Sequence, residues 1–545
     1  MSWLFSWRPA QLPDSWAPEH GWAMTRALIW VAILACLGYA VLARLAPRLS
    51  ARARRVAHTI LIAVLGGSAL LSVAVYLDFG LFRYGTYLNE WDFYHYYLGS
   101  KYAPELGYTK LYGATLLADA EAGARYHNPQ GAIRDLATAE LGPTAAVLRE
   151  PQRYRNAFSP QRWSDFVADV TWFRQQLPPA RWSLLLVDHG YNGTPAWSFV
   201  LGDLVTRHLS VRAPLERWLM LLLDPALLLT SVLVVAWAFG WRTAFVLVIF
   251  VGTHYLMSWG HLKGALLRTD FAMGTVLAVC AVKKHHFVLA GVCLGWAILS
   301  RVFPVLFLLV PVVLLARHGL CDRRLHRPWL ALLAACVATV VLVGLASCLR
   351  FGGWAIWREW AEKISLHYAG GSDWDVGLRT VLAAGFSAGV PTRHAHLGAA
   401  AAWSPAMLAA VALLLLPALY FLRGLAEHEA LAYGFVFVFL LSVATYYYYL
   451  VLCVPLLFFA PELEQPQGAL GTAFMLFTGF AGYVFFSGWR SWAGAWVILR
   501  GWHQTFPTYY YSSCLVGITV VQMIALAASR ARARNPRAVA AAHGG

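Results

Sequence analysis

Long apolar runs, bounded by short polar or Pro/Gly-containing stretches, recur along most of the chain. A helix needs about 20 apolar residues to cross the hydrocarbon layer, with a range of about 17–25. Such runs lie at residues 25 to 44, 58 to 79, 218 to 239 and 243 to 259. The pattern is then nearly continuous, with runs at 269 to 283, 286 to 300, 302 to 316, 329 to 349, 404 to 422, 430 to 446, 447 to 461, 468 to 487 and 511 to 529. Several of these are short enough to be tilted or partly buried against neighbours. The expected fold is all-α: a polytopic transmembrane helical bundle of about 13 spans (range about 11–14) with a helical extracytoplasmic loop cap. Residues 1–57 read as a tail, a first span and a basic cytoplasmic loop. Residues 58–530 read as the main transmembrane domain with large outer loops at 80–217 and 350–403, and 531–545 as a polar cytoplasmic tail.

The loop from 80 to 217 carries its own periodicity. Ser159-Pro160 supplies an N-cap and an N1 proline. Trp163, Phe166, Val167, Val170 and Phe173 then recur on one face of an amphipathic helix. Apolar patches from Trp182 to Val187 and from Trp197 to Val205 predict further helices lying on the bilayer surface.

Composition narrows the class. The chain is 59% hydrophobic and 13% charged, with a mean hydropathy of +0.55, whereas soluble chains are about 45–50% apolar and about 25% charged. That excludes a water-soluble multidomain enzyme. Lys and Arg number 43 against 27 acids, a net +16, which in a soluble protein would suggest nucleic acid. Here the basic residues fall in alternate loops: Arg44, Arg48, Arg52, Arg54 and Arg55, then Arg242, then Lys283 and Lys284, then Arg317, Arg323, Arg324 and Arg327, then Arg423, and finally Arg530, Arg532, Arg534 and Arg537. Short cytoplasmic loops are enriched in such residues, so the amino terminus is expected outside, the carboxyl terminus inside, and no nucleic-acid partner is inferred. Pro9, Pro13 and Pro18 break any signal-peptide pattern, so the first span is expected to stay in the mature protein. The eight cysteines form no CxxC, and neither a zinc site nor a disulfide framework is expected.

The stretch Leu88-Asn89-Glu90-Trp91-Asp92-Phe93-Tyr94-His95-Tyr96-Tyr97-Leu98-Gly99 sets two carboxylates and a histidine among aromatic residues where the chain leaves the second span. Extended, Glu90 and Asp92 would face one side; in a helix they would stand about 200° apart. A general base at the membrane interface is the functional reading, and an aromatic belt with incidental charges the alternative. On the same outer face fall His261, Lys263, Arg268 and Asp270, then Arg301, then Lys363, His367, Asp373, Asp375 and Arg379. Convergent cations beside apolar clefts suit a lipid-linked phosphate, against snorkelling or simple ion pairing. Asp224, inside a span, is either a site residue or a hydrogen-bonded tie to a neighbouring helix. There is no Gly-rich phosphate loop after a strand, no His-Glu-x-x-His and no nucleophile elbow. A transferred sugar would therefore have to arrive on a lipid phosphate.

Glu90-x-Asp92 in the first outer loop, Asp188-His189-Gly190-Tyr191-Asn192-Gly193-Thr194-Pro195 near its end, and Gly260-His261-Leu262-Lys263 together resemble the GT-C superfamily of membrane glycosyltransferases. The similarity is to its bacterial polyprenyl-phosphate-mannose-dependent branch. Leu289 to Pro304 (LAGVCLGWAILSRVFP) is similar to that branch's LAG-x-x-x-G-x-A-x-x-x-K-x-x-P stretch, with Arg301 in the lysine's place. Tyr446-Tyr447-Tyr448-Tyr449 followed by Leu450 to Pro455 looks like its aromatic-then-apolar segment. His261 stands where a glutamine is often seen, and the first span is additional.

The resemblance implies inverting transfer of a hexose such as mannose from a polyprenyl-phosphate donor to a hydroxyl of a glycan, lipid or protein at the outer face of a bacterial inner membrane. Asp92 or Glu90 would be the base, with Asp92 deeper in the aromatic cluster. Arg301, Arg268 and Lys263 would hold the donor phosphate, His95 and Asp188 would shape the sugar pocket, Tyr446 and Tyr447 would pack against sugar or lipid, and His261 would be a further substrate-binding residue. No cofactor is called for; metal dependence varies within the superfamily, and the sequence offers no convincing ligand set. Three other readings compete: an O-antigen ligase or polymerase, which Arg379, Arg393, His394 and His396 would serve; a transporter or flippase of a lipid-linked substrate using Asp224 and Arg301; and an envelope scaffold with no buried charged cleft.

Overall fold

The computed structural model describes residues 18–80, 86–123, 131–258, 262–321, 323–369, 374–386, 405–492 and 506–533. Two long apolar helices open it, α1 (Pro18–Leu45) and α2 (Ala51–Tyr76), packed side by side across a short turn. Ser50 caps α2, its hydroxyl oxygen accepting from the Ala53 amide at 3.2 Å.

The segment from 86 to 221 then folds into a cap with its own core. Helical turns run from 90 to 101, with a π-helical turn at Tyr94–Leu98. They are followed by α3 (Leu111–Glu121), the antiparallel pair β1 (Ala132–Arg134) and β2 (Leu141–Pro143), and α4 (Pro160–Gln176). Ser159 caps α4 by accepting from the Arg162 amide, and Trp163, Phe166, Val170 and Phe173 are buried as the periodicity predicts, with Val167 half-buried. Their face meets α3. Trp182, Leu185, Leu186 and Trp197 also enter the cap core, while Leu184 and Leu204 of the same two patches stay exposed. Asp169, fully buried, ties the cap together by accepting from Lys101 Nζ (2.9 Å) and the Tyr102 hydroxyl (2.9 Å) and pairing with Arg212 Nε (3.0 Å).

The bundle follows: α5 (Leu223–Phe239), α6 (Trp241–Thr253), α7 (Asp270–Lys283), α8 (Phe287–Ser300), α9 (Leu309–Cys321), α10 (Arg327–Arg350), the more polar helix α11 (Ala355–Ala369), α12 (Pro405–Phe421), α13 (Pro466–Trp492) and α14 (Phe506–Ala533). The closest pairings are α8 with α10, α7 with α8, α6 with α2 and α1 with α13. A two-residue pairing, β3 (Asp375–Val376) with β4 (Ala444–Thr445), ties the segment after α11 to the start of the tyrosine run.

Among the described residues, eight helices are long and apolar enough to cross a membrane. Three shorter apolar stretches, Trp241–Thr253, Phe287–Ser300 and Tyr446–Glu462, accompany them. A 14-residue helix is about 21 Å long, less than the roughly 30 Å hydrocarbon layer. The runs at 269–283, 430–446 and 447–461 form short helices buried on nearly every side. A helix apolar all round belongs in a core as readily as in lipid, and hydrophobicity alone does not separate the two.

Candidate functional site

The site lies where the cap core meets the bundle core. Asn89 caps the first cap helix, Oδ1 accepting from the Asp92 amide at 3.1 Å. The chain is therefore helical from Glu90 onward, and the two carboxylates diverge. Glu90 turns toward Thr86, whose hydroxyl donates to Oε1 at 3.3 Å. It is buried, and burial pushes its pKa up to about 7. Asp92 turns toward the bundle, where Oδ1 lies 2.9 Å from Arg268 Nη1. Burial pushes the Asp92 carboxyl up to about 6, against the pull of Arg268 and Arg301.

Arg268 is delivered by a tight loop. Gly264 has φ +67, and a Cβ there would stand 1.6 Å from the Tyr87 carbonyl oxygen; only glycine lets the loop approach so closely. The Gly264 carbonyl accepts from the Asn89 amide at 3.0 Å, which docks this loop onto the start of the cap helix. Asp224, in α5, accepts from the Arg268 amide (2.8 Å), the Thr269 amide (3.0 Å) and the Thr269 hydroxyl (2.6 Å). This acid is a structural tie, and its effect is to hold the backbone of Arg268.

Arg301 leaves the end of α8, buried, with Nη1 donating to the Ser300 carbonyl (2.6 Å) and Nη2 to the Tyr96 hydroxyl (3.3 Å). Ser300 Oγ donates to Asp270 Oδ1 at 2.8 Å. Both guanidinium groups sit against the Tyr96 ring, Arg268 at 3.9 Å and Arg301 at 5.5 Å from its centroid. Tyr447 lies 5.4 Å from Arg268 and Tyr448 5.7 Å from Arg301. Four buried atoms here form no hydrogen bond with the described residues: Asp92 Oδ2, Asp270 Oδ2, Arg268 Nε and Arg301 Nε. Buried polar capacity left unused is costly unless a ligand takes it up.

Asp188 borders the same region. Trp91 Nε1 donates to its Oδ2 at 2.9 Å. Burial raises its pKa, but His95, His189 and the Trp91 N–H outweigh burial and keep it below the usual value. His95 serves the scaffold: Nδ1 lies 2.8 Å from the Trp91 carbonyl, which can only accept, leaving Nε2 to accept from the Tyr112 hydroxyl at 2.8 Å. Burial lowers the His95 pKa to about 4. Lys363, on α11, donates to Asn192 Oδ1 at 2.8 Å and to the Tyr191 carbonyl, and burial pushes its pKa down to about 7.

Other expected residues go elsewhere. Lys263 pairs with Asp78 Oδ1 at 2.8 Å and lies over the Tyr76 ring, apart from the two arginines. Tyr446 stacks on Trp374 at 5.6 Å, whereas Tyr447 faces Arg268. His261, Asp373, Arg393, His394 and His396 lie outside the described residues. Tyr96 and Tyr112 carry no signal of their own in the sequence, because one tyrosine among many is not distinguished by type or spacing. Among the described residues, no three His, Cys, Asp or Glu side chains converge as a metal ligand set.

An apolar groove of about 580 Å³ runs between α2, α5 and α6, lined by Val73, Tyr76, Leu229, Val251 and Met273 and reaching Thr86 and Tyr87. Val73 and Leu229 are exposed, which opens it sideways. Pro225, next to Asp224, is part of its wall. Compared with known protein families, curated proteins and solved structures, the chain matches none of them.

Proposed function

We propose that the protein is an integral-membrane glycosyltransferase that moves a sugar, a hexose such as mannose, from a polyprenyl-phosphate donor to an acceptor hydroxyl with inversion. The observation that carries this reading is the buried group of Asp92, Arg268 and Arg301 against Tyr96, one acid and two cations with unused hydrogen-bonding capacity. The full reading has about 13 spans, the cap and the amino terminus on the outer face, and the carboxyl terminus in the cytoplasm of a bacterial cell. Its support is that unpaired arginines gather between α1 and α2 at the end remote from the cap, as the inside-positive bias requires.

The donor phosphate enters between Arg268 and Arg301 and its chain follows the apolar groove beside Asp224. The phosphate competes with Asp92 for Arg268, and the carboxylate so released takes the proton of the acceptor hydroxyl. That oxygen forms its bond to the anomeric carbon as the carbon–phosphate oxygen bond breaks, and the leaving phosphate keeps the electron pair. Its charge is met by the two guanidinium groups, so no acid is needed to protonate it. Glu90, turned away toward Thr86, takes no part in this step.

The test is release of free polyprenyl phosphate by the protein in lipid, offered a panel of polyprenyl-phosphate sugars with and without cell-envelope extract. Donor-dependent release that extract stimulates and Asp92→Asn removes is the expected result. No consumption of any panel member by folded protein would overturn it in favour of a ligase or a transporter.

A further inference from the structure

The connection between α1 and α2 carries a concentration of cations without counter-charges. Arg44, Arg48, Arg52, Arg54 and Arg55 lie within it or on its flanking turns, and none forms an ion pair with a described residue. Acidic side chains on the same face are engaged elsewhere. Glu464 pairs with Arg242 at 2.6 Å, Glu429 and Glu462 with Arg530 at 3.0 and 2.6 Å, and Glu427 with His326 at 3.2 Å.

Beside these cations the two helices part to leave a groove of about 660 Å³. Arg54, Arg55, His58 and Thr59 line one wall, and Tyr39, Leu42 and Ala43 the other, with Glu464 at the edge. The Tyr39 ring forms its back, with His58 edge-on at 5.7 Å and Arg242 at 5.0 Å. Since Arg242 holds Glu464, the groove keeps a net positive lining. The helices beside it expose Val41, Val56 and Ile60, so the pocket lies next to apolar surface suited to hydrocarbon chains.

We propose that this groove binds the phosphodiester headgroup of an anionic phospholipid, with Arg54 and Arg55 on the phosphate and the acyl chains along α1 and α2. A basic pocket between spans with apolar flanks has the complementarity that such a headgroup needs. A soluble anion would use the cations and leave the apolar flanks unmatched. The site is at the end of α2 remote from Asp92, so it is independent of the proposed chemistry.

The experiment uses the full chain in nanodiscs of phosphatidylcholine with increasing phosphatidylglycerol, reading retained lipid by native mass spectrometry and unfolding temperature in parallel. Phosphatidylglycerol is expected to be retained in preference to phosphatidylcholine and to raise the unfolding temperature of the wild type. R54A/R55A lowers retention about thirtyfold, at the usual strength of two cations near a lipid surface. R44A/R48A, on the same face outside the groove, leaves it unchanged. Equal retention of the two lipids by the wild type overturns the proposal, as does equal loss in both double variants. Displacement of the lipid by millimolar inorganic phosphate overturns the lipid source in favour of a free anion. None of these readouts requires turnover, so the outcome stands apart from that of the transfer assay.

Discussion

Asp92 and Arg268 meet at 2.9 Å across the boundary between cap and bundle. Each is held in place by a further residue: Asn89 caps the turn that carries Asp92, and Asp224, on the neighbouring α5, grips the backbone of Arg268. The pair keeps a buried carboxylate charged without a ligand, and it places that carboxylate where an incoming anion would compete for its partner. A buried ion pair made in this way contributes little net stability, which points to a role in the chemistry.

Asp92→Asn is expected to reduce polyprenyl-phosphate release by about 10²–10⁴-fold, the usual contribution of a general base, while donor binding is retained and the unfolding temperature falls, because Arg268 loses its buried counter-charge. Glu90→Gln is expected to retain most of the activity, because Glu90 faces Thr86 and not the arginines. Turnover by both variants, compared in one preparation, checks the division of roles.

The pH profile of kcat/KM should have an acidic limb with its midpoint near 6, where Asp92 titrates. Asp92 acts as the carboxylate, so activity falls as pH drops through that value and is complete above it. Arg268 lowers the Asp92 pKa, so in Arg268→Gln the limb should move to higher pH in whatever activity remains. A limb that stays put in that variant would assign it to another group.

Arg301→Ala should act mainly on donor binding. Loss of a charge-assisted hydrogen bond of about 1.5–3 kcal/mol corresponds to a rise in donor KM of about tenfold to more than a hundredfold. The check is a donor titration at saturating acceptor, in which kcat changes less than KM.

Asp224→Ala should destabilise the fold by several kcal/mol, because it strands two buried amides and a hydroxyl at about 1–3 kcal/mol each. Its residual activity should show a raised donor KM, since Arg268 loses its anchor. Thermal unfolding and donor titration together check this, and an unchanged unfolding temperature would sink it.

Gly264→Ala should fail to accumulate as folded protein, because the new Cβ would sit 1.6 Å from the Tyr87 carbonyl oxygen. Leu267, also at positive φ (47°), shows how sharply this loop turns. Expression and detergent-resistant monodispersity, set against Gly67→Ala, which meets nothing within 4 Å, form the comparison.

Much of the architecture was legible in the chain. Hydrophobic run length predicts a multispanning helical protein, and the α4 stripe from Trp163 to Phe173, with its Ser159 cap, is found as expected. The side chains of Arg268 and Arg301 could be placed on one face with Asp92 by sidedness alone. The same reasoning placed Lys263 among them, yet Asp78 takes it up. The family resemblance implies His95 in the sugar pocket, whereas both its ring nitrogens are engaged by Trp91 and Tyr112. A sequence shows which groups can ionise, but the partner that engages each is a long-range contact.

By itself the sequence determined that this is a multispanning helical protein with a large folded segment between its apolar runs, because apolar run length and helical period are local properties that the bilayer and the helix geometry read directly. Only the tertiary structure decided which short apolar helices are enclosed by neighbours, that Glu90 and Asp92 part company, and that Asp224 serves Arg268. Each of these depends on which distant segments come together, and no local pattern along the chain encodes that.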